Sequence, residues 1–381
     1  MKMQKTLIAA AVLAGATGVA LADITIGVSL PLTGPTSALG IPIKEAIALW
    51  PTSIGGEKLK VIILDDATDP TNAGKNARRF VTEDKVDILM GSAATPTANA
   101  VAAVASETGT MHITFAPIDV SVTKSPWSYN MPQSTLVMSH ALVAHMKKSG
   151  VKTVGFLGYT DAYGELFLRD MKAKMAGSDL KFIAEERFAR TDTSVTGQAL
   201  KVTAPNPDAI LIVASGSGAA MPHKALIERG YKGKIYQTHG AASMALIRVG
   251  GKDVEGAYVV SGPGTVAEQL PADHQSKKVA MMHVAAWEER NGPNSRNPFA
   301  GHAYDASIIL QKIIPVALKR AKPGTADFRG ALKAALENAG PIPLYHGTVN
   351  YTATDHAGYT NDTGVMLKIV NGGWKLEPII K

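Results

Sequence analysis

The stretch at residues 86–119, VDILMGSAATPTANAVAAVASETGTMHITFAPID, narrows the possible folds more than any other, because it reads as strand, small-residue loop, helix and second strand. Residues 87–90 and 112–115 are runs of strand length, the second β-branched at Ile113 and Thr114. The Ala-rich segment between them has Pro96 where a first helical turn tolerates it and Gly109 where a helix ends. Thr95 is then the expected N-cap, with the amides of Thr97 and Ala98 pointing outward at the carboxyl end of a parallel strand. Unpaired N–H groups and the helix dipole favour an anion there. Thr95 as a simple cap of its own helix explains the same residue types, and on this stretch alone that is the better reading.

The order recurs. PDAILIVASGSG at 207–218 followed by HKALIERGYKGKIYQTHG at 223–240 is again strand, small-residue loop, helix, glycine, strand and loop. Around these two units strands are predicted at 23–30, 60–64 and 127–131. Helices are predicted at 41–50, with Pro42 in the first turn, at 71–84, and at 135–149 with Ser134 as cap. From Val151 the alternation restarts, with a helix to residue 176, strands at 182–188, 209–213, 234–237 and 258–261, and helices at 195–203 and through 229. Helices at 275–290, 304–319 and 326–339 lead to strands at 346–351 and 364–370, and GGW at 372–374 reads as a hairpin turn. This order predicts an α/β fold of two doubly wound parallel-sheet lobes. The restart and the long return segment place lobe 1 at 23–131 and 263–350, and lobe 2 at 132–262 and 351–381.

The first 22 residues carry Lys2 and Lys5, a short apolar run and Ala20-Leu21-Ala22, the pattern of a cleavable export signal cut after Ala22. Gly15, Thr17 and Gly18 interrupt the run, which argues against a membrane anchor. The chain has no cysteine, so neither a lipid-anchored Cys nor a disulfide is expected, and a periplasmic location follows. Of 39 basic and 32 acidic residues, Lys2 and Lys5 fall in the leader, so the remainder carries +5. Those charges are scattered without a basic stripe interleaved with aromatics, which excludes a nucleic-acid partner from the expected set.

Enzyme motifs are missing. Neither a phosphate loop ending in Gly-Lys-Ser/Thr nor a His-Glu-x-x-His pair occurs, and Ser215 and Ser217 lack the flanking glycines of a nucleophile elbow. Asp65, Asp66 and Asp69 lack the spacing of a calcium loop and read as a strand-end turn with a helix cap. His140 and His145 diverge around a helix, and no metal site or cofactor is expected.

Several segments in this order resemble the periplasmic solute-binding proteins of branched-chain amino acid type ABC transporters. They are ITIGVSLPLTGPTSALG at 24–40, LDDATDP at 64–70, GSAATPTA at 91–98, YTDAYGE at 159–165, AYDA at 303–306 and YTATDHAG at 351–358. The resemblance spans essentially the whole chain after the leader. It implies a type I periplasmic binding protein, with two lobes joined by three crossovers closing on a small molecule, no catalysis, and membrane permease subunits as partners of a monomer. Sensor input of a receptor is a rival role, set aside because no membrane segment follows Lys381.

By that resemblance the ligand carboxylate falls at Thr95 and Ala116, and the second lobe's aromatic at Tyr163. Where amino acid binders hold the ligand ammonium with an acidic residue, this chain has Thr238-His239-Gly240, and a further hydroxyl position falls at Ile118. An ammonium taken out of water requires a carboxylate or several acceptors. The expected ligand is therefore a small carboxylate without an ammonium, an aromatic or other apolar acid. Thr95, Thr97, Ala98 and Ala116 would hold its anionic end, with Leu39, Tyr163, Ser217, His239 and Phe299 around the rest. A branched-chain amino acid held by carbonyls and Tyr163 stays open as the alternative.

Overall fold

The computed structural model describes residues 23–378, so the leader and its cleavage site lie outside the described residues. The first sheet comprises β1 (Ile24–Leu30), β2 (Ser53–Ile54), β3 (Glu57–Asp65), β4 (Ile88–Gly91), β5 (Met111–Thr114) and β6 (Ser128–Asn130), in the order β2-β3-β1-β4-β5-β6. Every β1 residue is buried, as a central parallel strand covered on both faces must be. All pairs are parallel except the short β2 edge. Helices α1 (Ser37–Ile47), α2 (Pro70–Thr82) and α3 (Thr95–Thr108) connect them.

After α4 (Thr135–Lys148) a second sheet forms from β7 (Thr153–Tyr159), β8 (Lys181–Phe188), β9 (Ala209–Val213), β10 (Lys234–Gln237) and β11 (Tyr258–Ser261), with α5 (Ala162–Met175), α6 (Thr196–Thr203), α7 (Ala220–Glu228) and α8 (Met244–Gly250) between them. The chain then returns through α9 (Lys277–Asn291), α10 (Pro298–Leu318) and α11 (Ala326–Glu337). Ile309, Leu310, Ile313 and Ile314 of α10 share one core with Ile24, Ile26 and Val28 of β1. The hairpin β12 (Ile342–Leu344) and β13 (Gly347–Val349) precedes a last passage to the second sheet, where β14 (Val365–Val370) pairs antiparallel with β11 and β15 (Gly373–Leu376) forms the edge. The chain is thus an α/β protein of two doubly wound lobes joined by three crossovers, after β6, after β11 and after β13. Among the described residues no helix is long and apolar enough to cross a membrane.

Two boundaries differ from the sequence reading in ways that matter. Helix α1 begins at Ser37, not at 41, so Pro42 lies inside it, and Gly40 packs where an added Cβ would stand 2.2 Å from the Pro31 carbonyl oxygen. Helix α10 begins at Pro298, where the Asn297 side chain accepts the Phe299 N–H at 2.9 Å, so NPFAGHA is a capped helix start and not a loop. The aspartates act as structure. Asp69 caps α2, Asp65 accepts the Leu32 N–H at 2.8 Å, and buried Asp66 accepts hydroxyls from Ser29 at 2.9 Å and Ser92 at 2.7 Å, tying together the ends of β1, β3 and β4.

The crossovers converge on a few polar contacts. Gln133 in the first donates to the carbonyl of His346, in the turn before β13, at 2.5 Å and to that of Thr363, in the third, at 3.2 Å. Gly262 in the second sits where a Cβ would come within 2.9 Å of both Gln133 and His346. Burial pulls the imidazoles of His112, His223 and His283 down to about 4 and those of His239 and His346 down to about 3, and holds His302 well below its ordinary value. The unfolded chain therefore binds more protons than the folded one below the ordinary histidine value of about 6.5. Buried Asp66, Asp87 and Asp305, raised by the same desolvation, act in the opposite sense but are fewer. The thermal midpoint is expected to be flat from pH 8 to 7 and to fall steadily from pH 6.5 to 4. A midpoint that holds or rises over that lower range in a pH series of unfolding scans contradicts this account.

Candidate functional site

Strands of a doubly wound sheet present the loops at their carboxyl ends to one edge. Here those edges face each other across a narrow, partly open cavity. From the first lobe come Leu39 of α1, Ala93, Ala94 and Thr95 after β4, Phe115, Ala116 and Pro117 after β5, and Phe299 and His302 of α10. From the second come Tyr163 after β7, Arg190 after β8, Ser215 after β9, and His239 and Gly240 after β10, with Pro132 of the first crossover between them.

Six residues singled out from sequence, Leu39, Thr95, Ala116, Tyr163, His239 and Phe299, meet in this one cavity. Thr97, Ala98 and Ser217 do not line it, nor does Ile118, whose backbone is held by Asn130. The hydrogen bonding around α3 also differs from expectation. The cap is Ala94, in extended conformation, so the helix starts one residue early. The Thr95 hydroxyl donates to the Pro117 carbonyl at 2.9 Å, the Ala98 N–H to the Ala94 carbonyl at 2.8 Å, and the Thr97 hydroxyl to the same carbonyl at 2.8 Å. The Ala116 N–H donates to Thr114 Oγ1 at 3.1 Å. The expected anion donors at Thr95, Ala98 and Ala116 are thus engaged within the protein. Ser217 sits in the 3-10 turn Gly216–Ala219, and Ser215, two residues earlier, faces the cavity in its place. Thr95→Ala is expected to lower stability by about 1 kcal/mol, the usual loss for one neutral hydrogen bond. Carboxylate affinity should stay within about threefold in calorimetry.

The cation of the cavity is Arg190, which the sequence reading passed over. Its Nε donates to Asp161 at 2.5 Å and its Nη1 to Ser215 Oγ at 2.9 Å, and its guanidinium lies 4.0 Å from the Tyr159 ring centroid. Asp161 is itself fixed as the cap of α5, accepting the Tyr163 N–H at 2.9 Å. Arg190 is therefore held by charge, hydrogen bond and stacking, while Nη2 has no partner among the described residues. Such a fork matches a carboxylate. The available signal was a basic residue two positions past the end of β8.

Beyond Arg190 the wall is aromatic. The Tyr163 hydroxyl donates to Thr238 Oγ1 at 2.8 Å, which donates in turn to the Ala214 carbonyl at 3.2 Å, so Tyr163 is fixed with its hydroxyl already used. The His239 ring lies 6.2 Å from that of Tyr163 and 5.8 Å from that of Phe167. The His302 ring stacks at 3.9 Å on His346, 14° from parallel. Burial keeps both cavity imidazoles neutral near pH 7. No Asp or Glu lines the cavity, and among the described residues no group of three or more acidic or histidine side chains is placed to hold a metal ion.

A family profile described as periplasmic binding protein matches residues 23–373. The chain is 23% identical over 352 residues to the Leu/Ile/Val-binding protein homolog 3 of Brucella melitensis biotype 1, covering 89% of this chain and 90% of that one. It is 48% identical to an extracellular ligand-binding receptor of Rhodopseudomonas palustris HaA2 of known crystal structure, with a TM-score of 0.91 over 93% of this chain and all of that one, 100%. An ABC transporter solute-binding protein of R. palustris, solved in complex with benzoate, is 18% identical with a TM-score of 0.79 over 93% of this chain and 95% of that one, a likeness of fold.

Proposed function

Given that the chain belongs to the periplasmic binding protein family, we propose that it is the solute-binding component of an ABC importer, taking an aromatic or other apolar monocarboxylate into the interlobe cleft and delivering it to permease subunits. The observation that carries this reading is Arg190, a fixed cation with a free donor edge in a cavity that is otherwise aromatic and apolar and has no carboxylate in its lining. The carboxylate lies on Arg190, and the ring lies against Tyr163, Phe299 and Leu39. Thr95 and Ala116 shape the cavity wall at the start of α3. The lobes divide at 23–131 with 263–350 and at 132–262 with 351–381, and they open and close around the crossovers. The protein is exported by its leader, acts as a periplasmic monomer, requires no cofactor and returns its ligand unchanged.

The second reading, a branched-chain amino acid, is favoured by the names of relatives such as the Leu/Ile/Val-binding protein homolog 3. It leaves the ammonium without an acidic partner, since neutral His239 stands where an acid would serve. Thermal unfolding with benzoate, cinnamate, leucine and isoleucine, followed by mass spectrometry of the recovered ligand, tests the class. A binder shows a ligand-dependent rise in midpoint and an unaltered ligand, whereas turnover would indicate an enzyme.

A further inference from the structure

His239 comes from the loop after β10 in one lobe and His302 from α10 in the other, and both line the cavity. Their Nδ1 atoms are buried and have no hydrogen-bond partner among the described residues, although His302 is only 3% exposed. Buried polar atoms are nearly always paired, and leaving one unmet is unfavourable, so two such rings facing one cavity point to a partner that arrives with the ligand. A neutral imidazole offers one donor and one acceptor. A hydroxyl is the small group that complements two of them, donating to one ring and accepting from the other. The Tyr163 ring lies 5.9 Å from the Arg190 guanidinium and 6.2 Å from the His239 ring, so one aromatic wall borders both the cation and a histidine.

We propose that the solute is a hydroxylated aromatic acid, its carboxylate on Arg190 and its distal hydroxyl bridging His239 of one lobe to His302 of the other. This rests on the aromatic-acid reading and adds a selectivity to it. The hydroxyl is met from both lobes, so it rewards the closed state. His302 stacks on His346, whose carbonyl accepts from Gln133 at the crossovers, so the same contact reaches the hinge.

Calorimetry on ligand-stripped protein tests this with two matched pairs, benzoate against 4-hydroxybenzoate and cinnamate against 4-hydroxycinnamate. In at least one pair the hydroxylated acid is expected to bind at least tenfold tighter, and in His302→Phe and His239→Phe that ratio is expected to fall towards one. Because the ratio is taken within one protein, loss of stability in a variant does not imitate the result. The wild-type ratio stands even if one variant fails to fold. Equal affinities within both pairs for the wild type, or a ratio that survives both substitutions, overturns the proposal and leaves the aromatic-acid reading in place. Failure of all four acids to bind overturns both.

Discussion

Arg190→Ala is expected to weaken binding of the preferred aromatic acid by roughly 30- to 1000-fold, the range of about 2 to 4 kcal/mol that follows from removing one partner of a desolvated charged pair. The effect is large because the guanidinium is preorganised. It is oriented by Asp161 and Ser215 and lies on the Tyr159 ring before any ligand arrives, so little freedom is lost on binding. Arg190→Lys keeps the charge but loses the fork and the stacking, and is expected to fall between the two. Calorimetric titration measures both, with the thermal midpoint of the unliganded variants as control for folding. Affinity within threefold of wild type in Arg190→Ala would move the carboxylate elsewhere in the cavity.

Asp305→Ala is expected to lower stability by about 3 to 5 kcal/mol and the thermal midpoint by on the order of 10 °C, because it leaves several buried donors unmet at once. Asp305 is fully buried in α10 and accepts the Tyr345 N–H at 2.7 Å, the His346 N–H at 3.2 Å and His346 Nδ1 at 2.8 Å. Burial pushes its carboxyl up, and the two backbone amides pull it partly back. The carboxylate pins the segment after β12 to α10, beside the contacts of Gln133 with that segment and with the third crossover. Asp305→Asn keeps the volume and one acceptor and should lose about half as much. Denaturant unfolding of the two variants beside wild type checks the order, and a stability for Asp305→Ala within 1 kcal/mol of wild type would contradict it.

The fold was legible because each element announces itself locally. The residues 86–119 became β4, α3 and β5, and the restart at Val151 became a second sheet. Leu39, Tyr163 and His239 are far apart in the chain yet meet in one cavity, because segments after parallel strands all leave the sheet at the same edge, and Phe299 joins them from the start of α10. Arg190 was not legible for the converse reason. Nothing in ARTDT states that Asp161 and Ser215, from other strand ends, will meet that side chain. His302 was hidden by reading Asn297-Pro298 as a loop when it is a helix start. At α3 a shift of one residue in the cap consumed the Ala98 N–H, which the sequence pattern had left free.

Calorimetric titration of ligand-stripped protein with benzoate, 4-hydroxybenzoate, leucine and isoleucine under identical conditions separates an aromatic-acid binder from an amino acid binder. Saturable one-to-one binding of at least one of the two aromatic acids is expected, with no heat of binding from either amino acid. Tight binding of leucine or isoleucine with no response to the benzoates would contradict the aromatic-acid reading.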